Sequence, residues 1–477
     1  MRRGSGGDSE VVRTYLIVSA IDYFADMVLT VTSVLLLASR LGGQGVFLTI
    51  AGVWIVEGLS ELPTGVIADA IGRRASVTIS FALRAAGYSA LFFSASPWIT
   101  VLGTLIAANG GTWGSGALDA WAVDELSERS PGTLDRLFLH GRIFENIGLI
   151  VGTMTGAAIG LSDLALPQVV AGAACAAAIV PCAFFMTERA GPNVDRAGRR
   201  DGSGLGGRAL SRRIVASGHE VFASAQRTLR GDLVLIGLVL GTALLWLFRG
   251  IPGVQWTVHF DSITGGSLLL LGLMRSTSSL LEIPLLAWMM RLQQRGRNVR
   301  KLSIIGAGAA GAVLLATAAW VHSPVGGIVA YVCFSLAFGL CLPGVRAALN
   351  ERLHPEHRAT VLSMASMCNS LFTGAGLLIV GSTAASLSDV RIPWTAAAIG
   401  FGLCTAGVGV LAGLYRSRPP ADVPADPDLA GAAAVAGPAL DGMDPAPGRS
   451  RVALAPSPAV EMAIPGMLAE PIPESRQ

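Results

Sequence analysis

Charge is scarce in this chain. Asp, Glu, Lys and Arg make up 14% of its 477 residues, where a soluble domain carries about 25%. That shortage excludes an ordinary water-soluble globular protein. Lysine is almost missing: of 35 basic residues only Lys301 is a lysine, a compositional bias without functional content. Cysteine is sparse as well. Cys175, Cys182, Cys333, Cys341, Cys368 and Cys404 all fall in apolar segments, with no CxxC and no Cys/His cluster, so they read as small buried hydrophobes and no metal site is expected. No GK[ST] follows the glycine-rich runs 110–116 and 201–207, so neither is a phosphate loop. The histidines are scattered in loops and ends, with His219, His259 and His354 reading as solvated. No Ser/His/Asp constellation accompanies them. Catalytic residues, cofactors, metal and nucleic-acid partners are therefore not expected, and an enzyme is not the reading. A cleavable signal is absent too, because the first apolar run is too long and contains Asp22 and Asp26.

What the chain has in abundance is apolar sequence. Hydrophobic residues make up 52%, and the mean hydropathy is +0.58. Windows long enough to cross a hydrocarbon core of about 30 Å lie near 14–38, 45–67, 75–96, 98–122, 139–162 and 166–186. A polar, arginine-rich segment follows, and six more windows lie near 232–257, 264–290, 302–321, 325–347, 360–386 and 392–415. The pattern predicts an all-α polytopic membrane protein with twelve transmembrane helices in two six-helix bundles. These windows are too long for barrel strands. The predicted organisation is an N-terminal bundle over 1–187, a linker over 188–230, a C-terminal bundle over 231–416 and a disordered Pro/Ala-rich tail over 417–477. Within the linker, residues 219–230 read as a short interfacial helix.

Arginine placement sets the expected orientation. One side holds Arg2, Arg3, Arg13, Arg73, Arg74, Arg129 and Arg136, then nine arginines between 189 and 230, five basic residues between 291 and 301, and Arg352, Arg358, Arg416 and Arg418. The other side holds little beyond Arg40 and Arg391. The arginine-rich side, with both termini, is expected in the cytoplasm of a cell in whose plasma or inner membrane the protein sits.

The two halves echo one another. Glu61-Leu-Pro63 matches Glu282-Ile-Pro284, Leu126-Ser-Glu-Arg129 matches Leu349-Asn-Glu-Arg352, Arg136 matches Arg358, and Asn146 matches Asn369, at offsets of 221 to 223 residues. A parallel six-helix repeat implies halves related by an axis along the membrane normal, with the substrate site at the midplane between them.

Ionisable groups inside spans are expensive and kept where they face a wet cavity or a partner. Asp22 and Asp26 share one face of span one, and Glu57 and Glu61 share one face of span two. Asp22, Asp26, Glu57, Glu61 and Glu282 are the candidates for proton coupling, since desolvation drives a carboxylate toward neutrality. Arg275 is the expected counter-charge that resets one of them. Arg84, Arg142 and Glu145 are further in-span charges. Asn146, Arg249, Arg275, Asn369, Trp113 and Trp246 are candidates to line a substrate cavity. Structural interhelical pairing and helix packing are the competing roles for these groups, and for Glu61 and Glu282 a shared hinge at the adjacent proline. Gly148, Gly152, Gly156 and Gly160 form a small-xxx-small stripe that lets span five approach a neighbour closely.

The loop between spans two and three carries a further signature. Gly65-Val-Ile-Ala-Asp69-Ala-Ile-Gly72-Arg73-Arg74 resembles the G-x-x-x-D-[RK]-x-G-[RK]-[RK] motif of the major facilitator superfamily, departing from it only at Ala70. The resemblance covers about residues 12–416. It implies a gate at the cytoplasmic side made by Gly65, Asp69, Gly72, Arg73 and Arg74. Gly65 would permit close helix approach, Asp69 would face the start of span eleven, and Arg73 would pair with Asp124 at the end of span four. The stripe from Gly148 to Gly156 also resembles the helix-five motif of drug:proton antiporters, with Thr153 where the motif has proline and Ala157 in place of its last glycine. The arginine of their helix-four motif has no counterpart in residues 105–117. The run Gly116 to Leu126 resembles bacterial drug and natural-product exporters. The resemblance implies a monomeric secondary transporter in the bilayer that exports a small amphipathic molecule, driven by the proton gradient. The alternatives are a proton-coupled importer of a small metabolite and a membrane receptor or sensor that does not transport.

Overall fold

Hydrocarbon offers the backbone no water, so a spanning chain closes its hydrogen bonds within helices. The computed structural model follows that rule. It describes residues 4–126, 131–187, 232–353, 355–383 and 387–414, and every regular element among the described residues is a helix. In order these are α1 (Gly4–Met27), α2 (Ser33–Ile71), α3 (Arg73–Phe93), α4 (Pro97–Gly114), α5 (Ala117–Leu126), α6 (Pro131–Gly160), α7 (Leu166–Phe185), α8 (Leu233–Thr264), α9 (Leu268–Gln293), α10 (Arg297–Trp320), α11 (Pro324–Arg352), α12 (Pro355–Thr383) and α13 (Arg391–Gly413). The linker 188–230, its 219–230 segment and the tail 417–477 lie outside the described residues.

These helices make twelve crossings, although only ten are long and apolar enough to qualify one by one. Span one is α1 plus the start of α2. Gly42, at φ 69 and ψ 176, breaks α2, and the remainder is span two. Span three is α3, span four is α4 with α5, and α6 to α13 are spans five to twelve. The apolar windows 14–38 and 98–122 predict unbroken helices, and both spans are broken. In span one residues 28–32 form turns. There Val28, Thr30, Val31 and Thr32 put four β-branched side chains, which favour helix less, into five positions. In span four the break falls at Ser115 and at Gly116, whose φ of 70 suits glycine.

The glycine stripe of span five fits against span one. A methyl carbon at Gly148 would come 3.2 Å from the Ala20 carbonyl oxygen, one at Gly152 2.9 Å from that of Phe24, and one at Gly156 1.8 Å from that of Val28. Backbone thus meets backbone where span one is unwound. The C-terminal half packs an aromatic core of Phe260, Phe334, Trp394 and Phe401, each fully buried. Phe93, Trp98, Phe184 and Ile392 are more than three-quarters exposed, as befits a surface that meets lipid.

Spans two and eleven join the halves, as do spans five and eight. Gly43 lies against Leu387, Phe47 against Gly381, Ile55 against Gly374, and Leu371 against Gly58; Ala157 and Met154 lie against Gly272, and Leu268 against Gly160. These contacts run from the arginine-poor end to mid-depth. Further toward the arginine-rich end the picture changes at Gly65, which is exposed and whose methyl substitute would meet nothing within 4 Å among the described residues.

At the arginine-rich end the second copy of the Leu-x-Glu-Arg repeat ties three spans together. Arg352 donates to Asp232 Oδ2 at 2.6 Å, and Arg300 donates to Glu351 at 2.7 Å. Asp232 Oδ1 caps span seven by accepting from the backbone N–H of Val234 and Leu235. Burial pushes the Asp232 carboxyl up, but the N–H of Leu235 and the Arg352 guanidinium outweigh it, so it titrates below the ordinary range.

Candidate functional site

Span one presents Asp22 and Asp26 one helical turn apart, and span three answers with Arg84. The guanidinium donates through Nη1 to Asp22 Oδ1 and through Nη2 to Asp26 Oδ1, forming a forked ion triad. The arginine is 4% exposed, whereas the aspartates are 35% and 48% exposed. The cation is therefore fixed in the wall, and Asp26, the more exposed carboxylate, faces open space. Tyr88 donates to Asp26 Oδ1 at 3.4 Å, and the Phe81 ring lies 5.6 Å from the guanidinium carbon.

That open space is a cavity of about 460 Å³ between spans one, two, three, four and six. Asp26, Glu57, Arg84, Tyr88 and Gln168, with the hydroxyls of Thr30, Ser33 and Thr104, supply its polar lining. Glu57 reaches in from span two and lies within electrostatic range of Asp26 and Glu61. The Gln168 side-chain oxygen is buried and has no hydrogen-bond partner among the described residues. Asp26 lies in the last turn of α1, two residues before the turn segment 28–32. The arrangement holds two carboxylates from different spans in one cavity with a single fixed cation. A proton delivered to either changes the balance on Arg84.

The structure thus brings three of the five expected coupling carboxylates, Asp22, Asp26 and Glu57, to one place. It separates the other two. Glu61 lies further along span two, within hydrogen-bonding reach of Ser366 on span eleven, while Glu282 packs in its own half against Gly339 of span ten. The sequence echo between them does not extend to a shared environment. Arg275 is not the counter-charge of the N-terminal carboxylates. It sits on span eight and donates to Ser279 of the same helix at 2.8 Å, because Arg84 already occupies both aspartates.

The expected gate is found in part. Gly72 turns the chain between α2 and α3 at φ 100, a conformation natural to glycine. Arg74 donates to the Ala183 carbonyl of span six, and Arg73 is half-buried. The Asp69 backbone is helical, and its side chain lies outside the described residues. No described atom lies within 4 Å of where a Gly65 side chain would start. Asp124 is exposed, and the expected pairing of Arg73 with Asp124 is not found among the described residues.

The remaining candidates fall in four places. Trp113 donates to Asn109 at 3.3 Å, and Asn109 donates to Ser60 at 2.9 Å, linking spans four and two. Asn146 donates to the Arg142 carbonyl, and Arg142 pairs with Glu145 within span five. Asn369 has a buried side-chain oxygen without a partner. Trp246 meets Trp54 of the other half at 6.3 Å and Phe338 at 5.5 Å, and Arg249 lies over Phe334 and Phe338. His259 is not a solvated loop residue: its ring packs on Phe260 and Trp394, and Nδ1 lies 3.1 Å from the Ser388 carbonyl oxygen. Sequence reasoning found Arg84 as an in-span charge but not as the partner of the aspartates, and it missed Tyr88, Asn109 and Gln168. For the polar three, the available signal was a hydrogen-bonding side chain in a span beside charges.

Comparison with known proteins gives a family match. The model of the Major Facilitator Superfamily matches residues 15–377. No curated protein sequence matches the chain. Among solved structures, the nucleoside transporter NupG is similar with a TM-score of 0.63 at 16% identity, covering 86% of this chain and 100% of that one. A D-xylose-proton symporter is similar with 0.60 at 14%, covering 84% and 96%. The human organic anion transporter MFSD10 is similar with 0.57 at 19%, covering 84% and 99%. At these identities the likeness is one of fold.

Proposed function

Because this chain belongs to the major facilitator superfamily of transporters, we propose that it exports a small amphipathic organic molecule in exchange for protons. The observation that carries this reading is the Asp22–Arg84–Asp26 triad, whose Arg84 and Asp26 line one intramembrane cavity together with Glu57. In this reading a proton entering from outside neutralises Asp26 or Glu57. Arg84 then turns to Asp22 alone, the contact between spans one and three relaxes, and the halves rock to expose the cavity on the other side. Substrate release and deprotonation reverse the step. The arginine-rich side is the cytoplasmic one, in keeping with the positive-inside rule. The halves lie within 1–187 and 231–416, and a monomer in the cell membrane suffices. Exposed Gly65 then marks where the cytoplasmic gate closes, with Asp69, Gly72, Arg73 and Arg74 around it.

The test is a pH profile. In everted vesicles with an acid interior, uptake of fluorescent amphipathic dyes is measured across external pH for the wild type, Asp26→Asn and Glu57→Gln. Each substitution is expected to flatten the dependence of uptake on the gradient. Wild-type profiles in both variants would remove this cavity from proton coupling.

A further inference from the structure

The charges at mid-depth are divided unevenly between the halves. In the N-terminal half Arg84 holds two carboxylates. In the C-terminal half two arginines have no carboxylate in an ion pair among the described residues. Arg249 on span seven lies 5.8 Å from the Phe338 ring and 6.0 Å from that of Phe334. Arg275 on span eight has Ser279 of its own helix. Neither forms an ion pair among the described residues, yet the two lie within electrostatic range of each other. Glu282 is also in range of Arg275, but its carboxylate packs against Gly339 of span ten. Two like charges in a low-dielectric setting raise each other's energy, and membrane proteins retain such groups where a pathway or ligand compensates them.

The surroundings define what would compensate. One turn before Arg249, Trp246 packs on Phe338 and meets Trp54 of the other half. Tyr331 lies within electrostatic range of both arginines, within hydrogen-bonding reach of Arg249, and donates its hydroxyl to the Pro252 carbonyl at 3.3 Å. Guanidinium groups present a planar fork matched to carboxylate, sulfonate or phosphate oxygens. An indole pair beside them offers flat apolar faces where the halves touch.

We propose that Arg249 and Arg275 bind the acidic group of the transported molecule, and that this molecule is an aromatic organic anion whose ring lies against Trp54, Trp246 and Phe338. This assignment rests on the transport reading and adds the charge and class of the substrate to it. The anion site and the carboxylate triad then occupy opposite halves, so substrate and proton are handled by different walls.

The experiment uses the purified full chain in detergent and titration calorimetry. The probes are benzoate, 2-naphthoate and indole-3-acetate, each against its primary amide, with 2-naphthylmethylamine as the cation. The expected result is at least one acid that binds tenfold or more tighter than its amide, with the amine weaker still. Arg249→Gln and Arg275→Gln are each expected to remove that preference. Arg249→Lys and Arg275→Lys, which keep the charge and guard against misfolding, are expected to retain part of it. No binding by any of the acids, equal binding of acid and amide, or a preference that survives both Gln substitutions would overturn the assignment. Failure of the transport reading shows elsewhere, as absence of gradient-driven flux, which equilibrium binding in detergent does not report.

Discussion

Arg84→Gln is expected to stop gradient-driven transport and to destabilise the N-terminal half. The substitution leaves Asp22 and Asp26 facing one another across a single helical turn without a cation. Removing one partner of a buried ion pair costs about 3–5 kcal/mol. The openness of the two aspartates to the cavity, at 35% and 48% exposure, pulls the figure toward the lower end. Thermal unfolding of the purified protein reads the loss. The decisive companion is the triple variant Arg84→Gln with Asp22→Asn and Asp26→Asn, in which no charge is left unpaired. It is expected to regain most of the lost stability while remaining unable to couple flux to the proton gradient. If Arg84→Gln unfolds like the wild type, the triad is a surface association and not the anchor of span one on span three.

The second large effect is expected at Gly156. Its substitute methyl carbon would lie 1.8 Å from the Val28 carbonyl oxygen, a backbone atom with no flexible end to move aside. Overpacking of this kind typically costs about 1–3 kcal/mol and occasionally more. Gly156→Ala is therefore expected to push span five off the unwound segment of span one. The displacement should carry Asp26, two residues before that segment, out of register with Arg84. A series makes the claim quantitative. At Gly152 the nearest atom would be 2.9 Å away and at Gly148 3.2 Å, so damage to stability and transport should fall in the order Gly156→Ala, Gly152→Ala, Gly148→Ala. A flat series would mean that span five is not seated as closely on span one as the structure shows.

Much of the architecture was legible because hydrocarbon leaves few options. Long apolar windows had to be helices, and the glycine stripe of span five had to mark a close neighbour. The stripe does not name that neighbour, and only the fold identifies span one. The charges show the same limit. An i,i+4 spacing places Asp22 and Asp26 on one face of a helix but does not say which helix faces them. Arg275 was therefore an admissible counter-charge until the structure placed Arg84 between the aspartates. The unwound segment 28–32 hid inside a continuous apolar window because hydropathy does not register the helix-weakening effect of β-branched side chains. The Glu61–Glu282 echo reflects position along the repeat. Environment is set by packing partners, which differ between the halves.

The central claim is that substrate leaves the cell as protons enter. Its most direct measurement is dye uptake into everted vesicles energised to an acid interior, with and without nigericin, which collapses the pH gradient. The account predicts uptake against the dye gradient that disappears on addition of nigericin and is missing in Asp26→Asn. Uptake indifferent to nigericin, or dye that moves out of the acid interior together with protons, would contradict it.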